Sequence, residues 1–343
     1  MRVAIYGAGA MGTVLGAFLT EGGVAVDLIS RNRAHVEGMK SHGATVRCEA
    51  DGVVKNVKVS ALLPDEMQGK YDVIFLMTKQ SKNVELLTFL QEYLTENGIV
   101  CTTQNGLPER SVAQVLGADR AYGAVMSFGA TFIGGGEMAL TSSLSAMSVL
   151  CGGYQNDNSK TPLLYSILKK AGEAIGNPAF VQTTENLAGA RWAKLAINAA
   201  LSTLSTITGQ TFGQVARGRK TKKLAIRIIR ETVAVAKASG VALEKLQGHD
   251  IEKFFGGSGW LKTWVAHLLF PYAMRRHKRL KSGMLTDIEK GKKCDVDFVC
   301  GAVVAAGKEV GVETPTAALA VEIVHGIENG LYEITPKNVD FML

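Results

Sequence analysis

The sequence lacks the features that mark several classes of protein. No apolar run reaches the roughly 20 residues that a membrane-spanning helix needs, and the first residues, MRVAIYG, do not have the layout of a signal peptide. Only 5 cysteines occur in 343 residues, an odd number without paired spacing, which argues against a disulfide framework and predicts a cytoplasmic protein. Proline is scarce at 7 residues while 47% of the chain is hydrophobic, so a disordered chain is excluded.

Acidic residues are also in short supply, because 31 Asp and Glu face 38 Lys and Arg and leave a net charge of +7. This excess favours an anionic partner. The charge alone does not decide whether that partner is a nucleic acid, a membrane surface, or a phosphorylated cofactor and carboxylate substrate. His249, His267 and His277 have no partner ligands at metal spacing, and no pair of cysteines suggests zinc, so no metal is expected.

A glycine-rich turn, called the glycine loop below, follows the first apolar run at 2–6. The loop consists of Gly7, Ala8, Gly9, Ala10, Met11 and Gly12. A helical pattern and a second strand at 24–29 come next, which is the strand–helix–strand order of dinucleotide-binding folds. Gly7 permits the tight turn, Gly9 lets the backbone approach a pyrophosphate, and Gly12 lets the helix pack on the strand. A turn that binds nothing is the alternative.

The end of the second strand bears on the choice between NAD and NADP. An NAD site usually carries Asp or Glu there for the ribose 2′-hydroxyl, whereas Arg accommodates a 2′-phosphate. This chain has Ser30-Arg31-Asn32-Arg33 at that place, and alternation can turn the preceding Asp27 elsewhere. The residues therefore favour NADP(H), with solvated surface arginines as the alternative.

Polar residues follow the next two predicted strands. The strand at 71–77 leads into Thr78-Lys79-Gln80, and the strand at 98–103 leads into Gln104-Asn105-Gly106. Because ligands of open parallel sheets bind outside the carboxyl ends of the strands, we expect Lys79 and Asn105 on the cofactor side. A strand at 121–127 continues the series, and strand-like pieces at 138–140 and 147–151 are expected to complete the sheet.

The composition changes near residue 180, and the remainder of the chain is predicted to be helical. Helical patterns cover 184–209, 220–239, 258–282, 297–311 and 316–329. We therefore expect two domains, an α/β dinucleotide-binding domain at 1–180 and a helical domain at 181–343. Such an arrangement is expected to form a cleft for a small molecule.

The long helix at 184–209 carries a candidate catalytic lysine. Lys194 and Asn198 are four residues apart and share one helix face, and Ser202 extends the same stripe. Desolvation by apolar neighbours and a nearby cation would lower the pKa of a lysine in this place and prepare it to give up a proton. On spacing alone, an edge lysine beside a polar neighbour is the commoner explanation.

The chain resembles the ketopantoate reductase (2-dehydropantoate 2-reductase) family over nearly its whole length. The matching pieces are the glycine loop, Thr78-Lys79, Gln104-Asn105-Gly106, Trp192-Ala193-Lys194-Leu195-Ala196-Ile197-Asn198, Met284-Leu285-Thr286-Asp287-Ile288 and Thr314-Pro315. The resemblance implies an α/β Rossmann-like domain followed by an all-α domain like that of 6-phosphogluconate dehydrogenase. It also implies NADPH-dependent reduction of a 2-keto acid to a 2-hydroxy acid, most simply ketopantoate to pantoate in pantothenate biosynthesis. A homodimer is expected on a different ground, because the apolar C-terminal helices outnumber what one core needs.

The resemblance also implies a role for each matching residue. The glycine loop holds the pyrophosphate, and Arg31 faces the 2′-phosphate. Lys79 reaches the cofactor ribose, Ala130 offers a backbone contact, and Asn105 touches both the nicotinamide side and the substrate. Lys194 matches the general acid that protonates the developing alkoxide, and Asn198 matches a substrate-binding neighbour.

Several substrate positions depart from the family. Ser202 and Phe212 stand where asparagines are usual, the family's substrate-binding serine falls at Gly283 beside Ser282, and Asp295 replaces a cofactor-binding glutamate. Hydrogen-bonding groups left unpaired cost about 1–3 kcal/mol each, enough to change substrate preference. A different keto acid, an imine substrate, or an NADP(H) sensor that engages a partner therefore stays open.

The segment 251–281 mixes aromatic residues with a basic end at 275–281. It is interpreted as a substrate-pocket lid hinged at 256–259, as an interfacial helix, or as a buried helix with a solvated last turn. We favour a pocket wall or a subunit contact over membrane binding. The basic run 217–223 lacks aromatics and any nucleic-acid motif, so it is interpreted as solvated surface, and no nucleic-acid partner is expected.

Overall fold

The structure is a computed structural model that describes residues 1–246, 248–257 and 259–343, together with their side chains except at 261, 262, 276 and 277. Contacts within the chain divide it into two compact units. The N-terminal unit comprises Met1–Gln104 and Pro108–Leu187, and the helical unit comprises Asn105–Leu107 and Ala188–Leu343. Ser258 of the expected hinge lies outside the described residues, as does the His277 side chain.

The N-terminal unit alternates strands and helices. Its strands are β1 (Val3–Tyr6), β2 (Val26–Ile29), β3 (Ala44–Cys48), β4 (Val53–Val57), β5 (Ser60–Leu62), β6 (Tyr71–Leu76), β7 (Leu94–Thr102), β8 (Ala121–Met126), β9 (Ala130–Gly134), β10 (Glu137–Leu140), β11 (Val149–Gly153) and β12 (Val181–Thr183). Its helices are α1 (Ala10–Glu21), α2 (Arg33–His42), α3 (Asn83–Gln91), α4 (Glu109–Leu116) and α5 (Thr161–Ala174).

The main sheet has eight strands in the order β12-β11-β8-β7-β6-β1-β2-β5. All neighbours are parallel except β11 and β8, and the chain crosses from β1 outward in both directions, as in doubly wound dinucleotide-binding sheets. One buried face contains Phe18 and Phe75, and the other contains Tyr71 and Leu87, so apolar side chains cover the sheet on both sides. The expected α/β fold is confirmed.

The expectation that 138–140 completes this sheet is wrong. Met138–Leu140 lies in β10 of a second sheet, ordered β4-β3-β10-β9, where β10 pairs antiparallel with β9. The cause is local, because Gly134, Gly135 and Gly136 all have positive φ and fold β9 back onto β10. The strand expected at 147–151 does join the main sheet, as β11.

The helical unit begins within the predicted long helix. Its helices are α6 (Leu187–Thr208), α7 (Phe212–Arg217), α8 (Arg219–Ala238), α9 (Ile251–Phe255), α10 (Trp260–Ala273), α11 (Gly283–Glu289), α12 (Cys300–Val310) and α13 (Pro315–Glu328). The units divide at 187/188 instead of 180/181, since β12 pairs with β11 in the main sheet.

The helix predicted at 258–282 is wrong from residue 274 onward. Helix α10 ends at Ala273, and a 3₁₀ turn follows at Met274–His277. The backbone then bonds to the start of α7, with the Phe212 N–H donating to the Leu280 carbonyl at 2.9 Å and the Gly213 N–H donating to the Lys278 carbonyl at 3.2 Å. These bonds hold residues 278–282 in a connecting segment instead of a helix.

Candidate functional site

The glycine loop connects β1 to α1 and packs tightly on the N-terminal unit. Gly7 has φ +102°, and a Cβ there would lie 2.7 Å from the Thr78 nitrogen, so only glycine fits. A Cβ on Gly12 would lie 2.7 Å from the Gly7 carbonyl oxygen, which is the close helix packing expected from the sequence. Beside Gly9 the nearest atom would be 4.0 Å away. The loop therefore leaves open space at Gly9, beside the positive N-terminal end of α1.

The tip of β2 is basic. Arg31 is exposed just beyond the strand. Burial raises the pKa of Tyr6, and the positive charge of Arg31 offsets part of that rise. The Asp27 carboxylate accepts hydrogen bonds from Arg2, Ser60 and Tyr71 at 3.0, 2.7 and 2.8 Å. Asp27 is thus held by these three donors, as alternation along the strand allowed.

A buried polar network joins the carboxyl ends of β6 and β7. The Gln104 side-chain amide donates to the Thr78 carbonyl at 2.9 Å and to Asn83 Oδ1 at 2.8 Å. Its Oε1 accepts from Asn83 and from Thr102 Oγ1 at 3.0 and 2.9 Å. Lys79 and Asn105 each follow one of the joined residues and are exposed. The sequence offered no signal for Asn83, which lies 21 residues from Gln104.

Ala130 is the first residue of β9, paired with Leu140 and half-buried. Strand β9 contacts α1, the helix that begins at the glycine loop. The N-terminal unit therefore contains the glycine loop, Arg31, Lys79 and Ala130.

Buried His35 also supports this region and was not singled out in the sequence. Its Nε2 lies 2.9 Å from Thr13 Oγ1 on α1, and its Nδ1 accepts from the Gly136 N–H at 3.0 Å. Burial lowers the pKa of His35. A neutral imidazole thus links α1 to the turn between β9 and β10.

Three predicted site residues share one face of α6. Lys194, Asn198 and Ser202 follow at intervals of four, and Ser202 Oγ donates to Asn198 Oδ1 at 2.5 Å. Ser202 is buried and Asn198 half-buried. The hydroxyl therefore orients the Asn198 amide one turn beyond Lys194.

The electrostatic setting of Lys194 is unusual for a lysine. Burial, and then the positive charge of Arg191, lower its pKa to about 7. Arg191 is 2% exposed and lies three residues earlier on the same helix. At neutral pH both forms of Lys194 are populated, which suits a group that donates a proton and takes one back. Arg191 was missed as a candidate, although its i,i+3 spacing was a usable signal.

Ser282, by contrast, has a structural role. It is 1% exposed, its Oγ accepts from the Met284 N–H at 3.1 Å, and its own N–H donates to Ser205 Oγ at 3.2 Å. Ser282 thus caps α11 and ties it to α6. A Cβ on the exposed Gly283 would meet nothing within 4 Å, whereas Phe212 packs against the helical core.

The other predicted residues of the helical unit are Asn105 and Asp295. Residues 105–107 cluster with this unit, and Leu107 packs on its core. Asp295 is half-buried at the start of a 3₁₀ turn, Val296–Phe298, where its carbonyl accepts from the Phe298 N–H at 3.1 Å.

A metal site would need several ligand groups close together among the described side chains. No group of three or more His, Cys, Asp or Glu side chains there is placed to hold a metal ion. Over the same residues, no helix is both long enough and apolar enough to cross a membrane.

The doubly wound sheet with its β1–α1 glycine loop, followed by a helical unit, defines a two-domain protein of the Rossmann type. Comparison with protein-family models matches residues 3–149 to ketopantoate reductase PanE/ApbA and residues 186–328 to the C-terminal domain of the same family. The chain belongs to the ketopantoate reductase family.

Individual relatives agree with this placement. The 2-dehydropantoate 2-reductase of Pyrococcus horikoshii is 23% identical over 96% of this chain and 98% of its own. A PanE/ApbA family ketopantoate reductase from Ralstonia eutropha JMP134 has a TM-score of 0.78 at 26% identity, covering 96% and 99%. D-mandelate dehydrogenase, solved with NADH and anilino(oxo)acetate, has a TM-score of 0.80 at 23% identity with the same coverage, which shows a shared fold.

Proposed function

We propose that this chain reduces a 2-keto acid to a 2-hydroxy acid with NADPH, with 2-dehydropantoate as the favoured substrate. The observation that carries the proposal is Lys194, a lysine with a pKa of about 7 beside Asn198 on α6. Relatives named 2-dehydropantoate 2-reductase, aligned over 96% of the chain, support the choice of substrate.

The N-terminal unit is proposed to bind the cofactor. The open side of Gly9 fits a backbone approach to pyrophosphate, with Gly7 and Gly12 shaping the loop. Arg31 is proposed to meet the 2′-phosphate. The Asp27 carboxylate, which could otherwise accept from a ribose 2′-hydroxyl, is held by its three donors. Lys79 and Ala130 of the same unit belong to the proposed cofactor set, and Asn105 and Asp295 of the helical unit complete it. When bound, the dinucleotide supplies the hydride.

Lys194 is the proposed general acid. In its ammonium form it donates a hydrogen bond to the keto oxygen, and its charge stabilises the negative charge that develops there. The proton then moves from Nζ to that oxygen, and the neutral amine is reprotonated from water. Asn198, oriented by Ser202, and Asn105 would position the substrate.

A second candidate is reduction of a different 2-keto acid or an imine. It is favoured by Phe212, which packs on the core, and by Gly283, which carries no hydroxyl. The neighbouring Ser282 does not supply the missing hydroxyl, because its Oγ already caps α11.

The test is consumption of NADPH, followed by absorbance, with 2-dehydropantoate and a panel of branched and aryl 2-keto acids, each with and without an amine. Turnover with 2-dehydropantoate as the best substrate supports the proposal. Higher turnover on another keto acid supports the second candidate, and a requirement for amine indicates an imine substrate. Tight NADPH binding without any turnover would contradict both and indicate a sensor.

We also propose that the protein is a homodimer and that it is located in the cytoplasm. Exposed apolar side chains at Leu331, Tyr332 and Phe341 in the helical unit support self-association. None of the five cysteines, which all lie within the described residues, forms a disulfide, and this agrees with a reducing compartment. Analytical ultracentrifugation of the protein and of Phe341→Ser tests the dimer.

A further inference from the structure

Helix α10 presents an apolar stripe to solvent. Its outward side chains Trp260, Trp264, Leu268 and Tyr272 are 83, 60, 60 and 70% exposed and recur every four residues. The opposite side is anchored, because Phe270 is fully buried and packs edge-on against Phe255 with ring centroids 5.6 Å apart. The helix is therefore held by one face while four large apolar side chains stay uncovered on the other.

The positive charge of the protein is concentrated around this helix. Residues 253–286 contain seven Lys and Arg and no Asp or Glu, so this segment matches the net charge of +7 and the rest of the chain sums to zero. The seven are Lys253, Lys262, Arg275, Arg276, Lys278, Arg279 and Lys281. Among the described side chains, those of Lys253, Arg275, Lys278, Arg279 and Lys281 are exposed.

Helix α8 adds further positive charge along the side of α10. The Lys222 ammonium donates to the His267 carbonyl at 3.1 Å, and Arg230 donates to Thr263 Oγ1 at 2.9 Å. Burial, then the charges of Lys222, Arg230 and Lys223, lower the pKa of His267. The apolar stripe is thus bordered by cations at its side as well as at its end.

We propose that α10 docks this protein onto the surface of a lipid bilayer that contains anionic lipids. Trp and Tyr prefer the boundary between headgroups and acyl chains, and Lys and Arg are attracted to anionic headgroups. The stripe, about 20 Å long at 1.5 Å per residue, would enter that boundary while the basic segment 275–281 contacts the phosphates. The helix lies in the plane of the surface.

Charge complementarity selects this occupant. A second copy docked through the same stripe would bring two segments of charge +7 together, and the ion pair of Lys281 with Glu289 at 3.8 Å offsets one of these charges in each copy. An anionic bilayer offers an apolar layer and a negative layer at the depths that the stripe and the basic segment require.

The experiment uses the full-length protein with vesicles of phosphatidylcholine alone and with about 30% phosphatidylserine, read by co-sedimentation and tryptophan fluorescence. Two of the three tryptophans lie on the stripe and the third, Trp192, is buried, so the fluorescence reports on α10. We expect binding to the phosphatidylserine vesicles with a blue shift, weakened by salt, and little binding to neutral vesicles.

Two variants separate the contributions. Replacing Arg275, Lys278, Arg279 and Lys281 by Gln is expected to weaken vesicle binding by about fivefold per charge, and Trp264→Ser with Leu268→Ser by about tenfold or more. Matched controls change Lys169, Lys170, Lys308 and Lys337 to Gln, or exposed Val54 and Tyr165 to Ser, and should bind as the wild type does.

Three results would overturn the proposal. The first is equal binding to neutral and anionic vesicles, or none to either. The second is a concentration-dependent dimer that Trp264→Ser with Leu268→Ser dissociates, which assigns the stripe to a second copy. The third is binding to single-stranded DNA, but not to vesicles, that the four-Gln variant abolishes. Circular dichroism spectra that match the wild type show that each variant is folded.

Discussion

The side-chain amide of Gln104 donates to the carbonyl oxygen of Thr78 at 2.9 Å and so joins the ends of two neighbouring strands, β6 and β7. The residues that directly follow these partners, Lys79 and Asn105, are both proposed to contact the cofactor. Gln104 is 6% exposed, and its amide also exchanges hydrogen bonds with Asn83. One buried amide thus fixes the starting points of the two loops that carry these proposed cofactor contacts.

Replacing Gln104 by Leu is expected to lower the free energy of unfolding by about 1–3 kcal/mol, since Asn83 and the Thr78 carbonyl lose buried partners. The KM for NADPH should rise at the same time, because the segments carrying Lys79 and Asn105 lose their common anchor. Urea unfolding and steady-state kinetics measure the two effects. The exposed Gln91→Leu is the control, and equal stability of the two variants would contradict the proposed anchor.

Lys194→Met is expected to reduce kcat by about 100- to 10,000-fold, the usual contribution of a general acid. The Kd for NADPH, measured by fluorescence titration, should change little, because no cofactor contact is proposed for Lys194. Lys308→Met removes an exposed lysine from the same unit and should leave both constants unchanged. Near-normal kcat in Lys194→Met would reject this lysine as the acid.

The pH dependence follows from the lowered pKa of Lys194. The proposed reduction uses the protonated amine as the acid, so kcat/KM for the keto acid should fall as pH rises through about 7. Arg191→Gln removes a neighbouring positive charge and should move this falling limb to higher pH. A limb that stays in place in a folded Arg191→Gln would show that another group titrates.

The same shift affects stability. Between pH values of about 7 and 10.5, Lys194 carries its proton in the unfolded state but not in the folded state. The free energy of unfolding therefore rises with pH over this range because of this group. Lys194→Met should lose that part of the rise, which urea titrations at pH 6 and pH 9 can measure.

Arg31→Ala is expected to raise the KM for NADPH about tenfold or more and to leave the KM for NADH unchanged, since only NADPH carries the 2′-phosphate. Arg47→Ala serves as the control, because Arg47 is also exposed and its ion pair with Glu137 lies at the surface, where such pairs contribute little. Equal losses with both cofactors would assign Arg31 a structural role instead.

Local spacing explains why the first strand–helix–strand unit could be predicted. The glycine loop, the end of β2 at Ile29 and the long helix α6 depend on residues close together in the chain. The neighbours of a strand in its sheet do not depend on nearby residues in this way. Met138–Leu140 has a readable strand pattern, but nothing within it specifies that β9 and β3 are its neighbours.

The candidate site divides in the same way. The face shared by Lys194 and Asn198 follows from helical periodicity. The capping role of Ser282 depends on a helix that begins at Gly283, whereas the sequence predicted a helix that ends at residue 282. The network of Gln104 and Asn83 depends on a contact between separate loops. Such contacts leave no period in the sequence.

The glycine loop allows packing and cofactor binding to be tested separately. In Gly9→Ala the new methyl group enters open space, so the free energy of unfolding should stay within about 0.5 kcal/mol of wild type, while the Kd for NADPH rises about tenfold or more because the pyrophosphate loses its approach. In Gly12→Ala the methyl group would lie 2.7 Å from the Gly7 carbonyl oxygen, and stability should fall by about 1–3 kcal/mol. Thermal unfolding with and without NADPH measures both. Wild-type NADPH binding by Gly9→Ala would place the cofactor elsewhere, even if Gly12→Ala behaves as expected.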